Sequence, residues 1–237
     1  MGIYELCTFV FKWDSPQMFA TLHPMLLDER FLPWNQKERV YELRFDGYRV
    51  LAEFGGGSAQ MRTRSGADCT AWFPEVAKSL ASVKGGPHIC DGEMCVLDDL
   101  GRSNFDLLQD RARRRRWYEG AVPVTYCVFD LLEEGGEDLT GLPLLKRKAR
   151  MMKRMAGVPF VLPMSHVDAE HGEQLFELKL EGLAAKRADS VYQPGVRSSD
   201  WVKVKRKGAV PAERFKRDVM LSNLIRQARK TPCESTT

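Results

Sequence analysis

Six short segments along this chain carry residue types capable of chemistry. In order they are Glu42-Leu-Arg44-Phe-Asp46-Gly47-Tyr-Arg49, Thr63-Arg64-Ser65-Gly66, Asp91-Gly92-Glu93, Tyr126-Cys-Val-Phe129-Asp-Leu-Leu, Glu181-Gly182-Leu-Ala-Ala-Lys186-Arg and Pro194-Gly-Val-Arg197-Ser-Ser-Asp-Trp-Val-Lys203-Val-Lys205. Each taken alone also has an ordinary structural reading: a charged hairpin, a turn, a helix C-cap glycine followed by a strand, an edge strand guarded by lysines. Charge adds a direction. Residues 203–217 hold Lys203, Lys205, Arg206, Lys207, Arg214, Lys216 and Arg217 against Glu213 alone, and a second basic block joins Arg111 to Arg113, Arg114, Arg115 and Arg116. Two local concentrations of cations fit a polyanionic partner, and a solvated helix face with a basic tail fits the same charges.

The elements that must position these residues alternate irregularly. VYELRF and YRVLAEF read as two strands joined at Asp46-Gly47, a dipeptide that favours tight hairpin turns, and AQMRTRSG continues a β-meander to a turn at Ser65-Gly66. FPEVAKSLASV reads as an amphipathic helix, HICDGEMCVLDD as a strand, SNFDLLQDRARRRRW as a basic helix and PVTYCVFDLLEE as an apolar strand. In LPLLKRKARMMKRM, Leu142, Leu145, Ala149, Met152 and Met155 share one face with cations on the other, the pattern of a surface helix. PFVLPMSHV, the helix HGEQLFELKLE, and the strands LAAKRAD and DWVKVKRK follow. Within that last strand Lys203 and Lys205 share a face, because residues two apart on a strand point the same way. Several hairpin-like links among mixed elements argue for an α+β fold with largely antiparallel sheets rather than a doubly wound parallel one.

A length of 237 residues allows one large domain or one domain with an appendage, and excludes a multidomain machine. The expected division is a leader over 1–33 that packs irregularly on the body, a main domain over 34–208, and a C-terminal helix and tail over 209–237. With 43% hydrophobic and 29% charged residues the chain can bury a sizeable core, which excludes wholesale disorder. No uncharged apolar run reaches the roughly 18 residues of a membrane span, and the N-terminus lacks a secretory leader pattern, so a cytoplasmic setting is expected. The six cysteines are scattered without a CxxC pair, which argues against a zinc ribbon or redox motif and for reduced thiols.

Taken in order, the six segments resemble motifs I, Ia, III, IIIa, IV and V of the covalent nucleotidyltransferases, the superfamily of ATP-dependent DNA ligases, RNA ligases and capping guanylyltransferases. DGEMCVLDDLGRSNFDLLQ, FDLLEEGGEDLTGLPLLKRK and EGLAAKRADSVYQPGVRSSDWVKVK look like the ligase domain of bacterial non-homologous end-joining DNA ligases, and the match runs from about Trp34 to Lys207. The resemblance implies two largely antiparallel sheets flanked by helices around a nucleotide cleft, an ATP-grasp-like fold. It implies ATP as the source of a transferred AMP, Mg2+ or Mn2+, and nicked or broken duplex DNA as partner, with end-joining proteins and a bacterial, nucleoid-associated location. Such a transfer requires an in-line nucleophile, a metal, cations over the phosphates and a site for the base. By resemblance Glu42 recognises the adenine amine and Phe129 stacks on the base. Arg49 and Glu93 hold the ribose, with Glu93 near the metal and Glu181 supporting it. Lys203 and Lys205 neutralise the α-phosphate, Lys186 and Arg197 face phosphates, and Arg64 meets the 5′-phosphate of a nick, while the basic charge of Arg113, Arg114, Arg115 and Arg116 suits them to DNA phosphates. A non-catalytic nucleotide or nicked-DNA module, and an RNA ligase or guanylyltransferase, are the rival readings.

Two departures matter. The family's nucleophilic lysine is replaced by Arg44. A lysine amine can lose its proton and attack phosphorus to give a lysyl-AMP phosphoramidate, whereas a guanidinium stays protonated with delocalised lone pairs and only binds phosphate. Self-adenylylation is therefore expected to fail, while the last step, sealing a pre-adenylylated nick, needs no amine. Family members also continue into an OB-fold domain carrying motif VI, and the residues after Lys205 read as one helix rather than five strands.

Overall fold

The structure, a computed structural model, describes residues 15–30, 36–172, 175 and 182–204. All of these belong to the unit Met1–Val204. The expected C-terminal helix, Lys205, Glu181, Cys7, Cys233 and most of the helix HGEQLFELKLE lie outside the described residues.

The strands form two sheets. The first contains β1 (Leu26–Asp28), β2 (Arg39–Leu43), β9 (Val167–Asp168), β10 (Leu183–Arg187) and β11 (Arg197–Val204) in the order β1-β11-β10-β2-β9. The second contains β3 (Tyr48–Gly55), β4 (Ser58–Thr63), β5 (His88–Cys95), β6 (Thr125–Glu134) and β7 (Glu137–Asp138) in the order β4-β3-β5-β6-β7, with β8 (Val161–Pro163) alongside β6. Every pairing is antiparallel except β1 with β11 and β6 with β8, so the α+β, largely antiparallel expectation holds. Strand β11 has neighbours on both sides, which removes the edge-strand reading for Lys203.

Register sorts the faces. Directly opposed residues of neighbouring antiparallel strands share a face. Glu42 opposes Ala184, which opposes Lys203, and Val40 opposes Lys186, which opposes Trp201. The alternate residues Tyr41, Leu183, Ala185, Val202 and Val204 form an apolar cluster behind the first sheet. In the second sheet Arg49 opposes Glu93, which opposes Cys127, while Val50, Ala52, Met94, Tyr126 and Val128 point backward into the largest core. Helices α2 (Pro74–Ala81), α3 (Phe105–Arg113) and α4 (Leu144–Met155) complete that core through Val76 and Leu80, Leu108 and Ala112, and Met151 and Met155. A third cluster joins the two sheets front to front, with Val40 and Trp201 from one and Leu51, Ile89 and Leu132 from the other. The functional faces therefore look at each other, and the apolar faces look away.

Three expectations are corrected. Asp46-Gly47 is not a hairpin, because β2 and β3 lie in different sheets. Glycine is required there by close approach: a Cβ on Gly47 would sit 2.2 Å from the Met94 carbonyl oxygen. The chain crosses between sheets at this point, so a dipeptide that commonly turns here permits a crossing instead. The leader is not irregular in its second half, since α1 (Ser15–Thr21) and β1 precede the body and β1 pairs with β11. Arg62 holds α1 by donating to the Phe19 and Ala20 carbonyls and lying over the Phe19 ring. In α4 the buried face is Leu144, Arg147, Lys148, Met151 and Met155, whereas Leu145 and Met152 are 38% and 39% exposed. Hydropathy misplaces this face because Arg147 and Lys148 turn inward to buried carboxylates, Asp130 and Glu42.

Candidate active site

Between the facing sheets lies a cavity of about 270 Å3. Its lining includes Glu42, Arg44, Arg49, Arg64, Glu93, Phe129, Lys186, Arg197 and Lys203, so nine expected site residues converge from segments spread along the chain. Leu26, Leu27 and Glu29 of the leader also line it. Arg113 to Arg116 do not: α3 packs on the face of the second sheet that points away from the cavity.

The first sheet supplies a carboxylate between two amines. Glu42 is 2% exposed, with its Oε2 2.8 Å from Lys186 Nζ and its Oε1 3.0 Å from Lys148 Nζ. Burial alone would raise this carboxyl, but the two ammonium groups outweigh it and hold Glu42 below its ordinary range. Lys148 also donates to the Met164 carbonyl at 2.8 Å, so its ammonium is shared between that carbonyl and Glu42 Oε1. Lys186 is pushed down to about 8 by its own burial, against the pull of Glu42. Its Nζ lies 4.1 Å from the Trp201 ring centre and 4.4 Å from that of Phe129. Lys203, farther out on β11, reaches Glu29 of the leader at 3.5 Å.

The second sheet supplies a locked guanidinium. Arg49 donates through Nε and Nη2 to the two oxygens of Asp91 at 2.6 and 2.7 Å, and through Nη2 to the Met25 carbonyl at 3.2 Å. The Tyr192 hydroxyl donates to Asp91 Oδ2 at 2.6 Å and accepts from the Met25 amide at 2.9 Å. Asp91 is fully buried, so this network fixes Arg49 before anything binds. Arg49 Cζ lies 4.3 Å from the Phe129 ring centre; base stacking expected at Phe129 competes with this cation and with Lys186. Burial pushes Glu93 up to about 7 against the opposing effect of Arg49. Gly92, between Asp91 and Glu93, is strand interior rather than a turn, and a Cβ there would meet the Tyr126 ring at 2.6 Å.

Arg44 sits where the chain leaves β2, its amide donating to the Gly182 carbonyl at 3.0 Å. Arg197 donates to the Leu27 carbonyl. Glu181 and Lys205, expected at the metal and the phosphates, lie outside the described residues.

The residues fit an adenine nucleotide. The Glu42 carboxylate beside the donor Lys186 complements a base edge that offers an amine next to a ring nitrogen, and Arg44, Arg197 and Lys203 add cations to the lining that suit phosphates. For a divalent cation, the described residues hold no group of three or more His, Cys, Asp or Glu ligands. Glu93 is the expected ligand among them, and this suits Mg2+, which usually takes one or two carboxylates together with substrate phosphates. Lys148, Asp91, Tyr192 and Trp201 were not anticipated. Asp91 stands inside a quoted segment, but Lys148 gives no signal, because a lysine on an amphipathic helix reads as surface.

With this geometry in hand, the comparisons with known proteins agree. The family described as ATP dependent DNA ligase domain matches residues 18–205. The chain is 33% identical over 207 residues to the multifunctional non-homologous end joining DNA repair protein LigD of Mycobacterium tuberculosis, covering 83% of this chain and 24% of the relative. To the LigD of Pseudomonas aeruginosa it is 36% identical over 173 residues, covering 71% and 20%. It thus spans about a quarter of the length of such relatives or less. The ligase domain of M. tuberculosis LigD superposes with a TM-score of 0.67 at 31% identity, covering 79% of this chain and 61% of that one. A mycobacterial DNA ligase D complexed with ATP and MES gives 0.65 at 32%, with the same coverage. The cleft between two sheets, the residues that line it and these relatives together make the chain a member of the ATP-dependent DNA ligase domain family.

Proposed function

We propose that this chain binds ATP with Mg2+ or Mn2+ between its two sheets and serves DNA joining, with the self-adenylylation step disabled by Arg44. The observation that carries the proposal is the convergence, in one cavity, of a buried carboxylate held between two ammonium groups with several further cations, beside a guanidinium at the nucleophile position. In this reading residues 34–208 perform the nucleotide chemistry, and the leader over 1–33 contributes Glu29 and the rim of the cavity. Glu42 accepts from the adenine amine, and Arg49, preset by Asp91, holds the ribose with Glu93. Glu93 and Glu181 hold the metal, which lowers the charge on the phosphates. Arg44, Arg197, Lys203 and Lys205 bind the phosphates, and Lys186, expected at the phosphates, instead stays with the base edge because its buried ammonium is paired with Glu42. Arg64 faces the 5′-phosphate at the break.

In a competent relative of this design an amine attacks the α-phosphorus, the P–O bond to pyrophosphate breaks, and AMP passes to the 5′-phosphate before the 3′-hydroxyl displaces it. Arg44 cannot supply that amine, so the chain starts from DNA that already carries AMP. We place it with end-joining proteins on broken duplex DNA in the bacterial cytoplasm, at the nucleoid.

The test is sealing of a nick that carries a 5′-adenylate, with Mg2+ and without ATP. Joined product that disappears on Lys203→Ala supports the reading. Failure of the chain to seal, alongside sealing by Arg44→Lys, contradicts a retained last step; failure of both identifies a nucleotide-binding module without catalysis.

A further inference from the structure

The Arg113–Trp117 segment lies away from the cavity, yet it is built with as much care. Arg111 of α3 is fully buried and uses one guanidinium nitrogen to donate to both oxygens of Glu75 at 3.1 and 3.2 Å. Its other terminal nitrogen donates to the Arg116 carbonyl at 3.1 Å, pinning the backbone that follows the helix. Arg115 takes a positive φ of 52°, a left-handed conformation that is uncommon outside glycine and persists where the surroundings hold it. The result is five consecutive exposed residues, Arg113 to Trp117. Arg114 lies 4.0 Å over the Tyr118 ring and Arg115 5.6 Å over that of Trp72. Trp117 is 58% exposed. Arg113 has Asp110 at 3.1 Å, while among the described residues Arg114, Arg115 and Arg116 pair with no carboxylate.

We propose that this surface is a second nucleic-acid site that takes an unpaired strand. Guanidinium groups bind phosphates through charge-assisted hydrogen bonds and serve any polyanion. The exposed indole narrows the choice, because a duplex buries the flat faces of its bases while an unpaired strand offers them for stacking. Arg114, 4.0 Å over the Tyr118 ring, sets a cation and an aromatic ring together beside the same bases. Since α3 packs behind the second sheet, a strand held here leaves the cavity free for nucleotide and nick. The proposal deepens the DNA-joining reading by assigning the single-stranded flank of a break to a named surface, but the surface needs no ATP to act.

The experiment is fluorescence anisotropy of the whole chain with labelled oligothymidylate and with a blunt, unnicked duplex, both without ATP. Trp117→Ala should weaken oligothymidylate binding about tenfold, as expected for one lost stacked base, and change duplex binding less than twofold. Arg114→Ala with Arg116→Ala should lower the slope of log affinity against log salt by roughly 1.4 for the single strand, about 0.7 for each phosphate contact. Equal losses on both probes for Trp117→Ala, or no loss on the single strand, overturns the proposal. ATP binding by the same variants should stay at the level of the unaltered chain. If the unaltered chain binds oligothymidylate through Trp117 but never binds ATP, the DNA-joining reading falls and this site stands.

Discussion

The two walls of the cleft hold their cations in opposite ways. On the second sheet, Arg49 is clamped by both oxygens of a fully buried Asp91, itself held by Tyr192, on strands backed by the largest core. On the first sheet, Lys203 has a contact of 3.5 Å to Glu29, which is 56% exposed. Glu42 with its two lysines is the exception on that side, buried as tightly as anything on the other. The difference assigns work. Under the proposed function, the groups assigned to the base and ribose are fixed in advance, and Lys203, assigned to the phosphates, faces an exposed carboxylate that substrate can replace.

The largest break in this comparison comes from Glu42→Ala, which leaves two buried ammonium groups facing each other without a counter-charge. Unfolding in urea should show a loss of about 3–5 kcal/mol, with nucleotide binding abolished. A loss below about 1 kcal/mol would place Glu42 among the exchangeable contacts. Next comes Asp91→Asn, which keeps the shape but removes the charge that fixes Arg49. Stability should fall by roughly 2–3 kcal/mol and ATP affinity about tenfold by calorimetry, and an unchanged affinity would mean that the clamp is structural only.

Acid sharpens the same contrast. Because Glu42 is held below its ordinary value of 4.5, its pairing contributes fully above that pH and is lost as pH falls through the lower folded value. The unaltered chain should therefore lose stability more steeply below pH 4.5 than Glu42→Gln does, as followed by circular dichroism. Parallel acid profiles would contradict a charged Glu42. Smallest of all is the effect of Lys203→Ala on stability, within about 0.5 kcal/mol, although ATP affinity should drop. A stability loss comparable with that of Asp91→Asn would erase the distinction between the walls.

Most of the cleft was legible because its chemistry depends on residue types that keep their order along the chain, and register then brings Glu42, Lys186 and Lys203 to one face. What escaped were partners contributed from elements whose local pattern says something else. Lys148 and Arg147 read as the solvent side of α4, because hydropathy cannot see that Glu42 and Asp130 wait inside. Asp46-Gly47 reads as a hairpin because the dipeptide suits one, and the need for a bare backbone beside Met94 is a fact of tertiary packing. The clamp on Arg49 joins Met25, Asp91 and Tyr192, positions too far apart in the chain for spacing to link them.

The central claim is that Arg44 stops the chain before an enzyme-bound nucleotide forms. Intact mass spectrometry after incubation with ATP and Mg2+ tests it directly, with Arg44→Lys beside the unaltered chain. The expected result is no added mass on the unaltered chain and an increment of one AMP on Arg44→Lys. An AMP increment on the unaltered chain would contradict it, and would point to Lys186 or Lys203, the other amines lining the cavity, as the nucleophile.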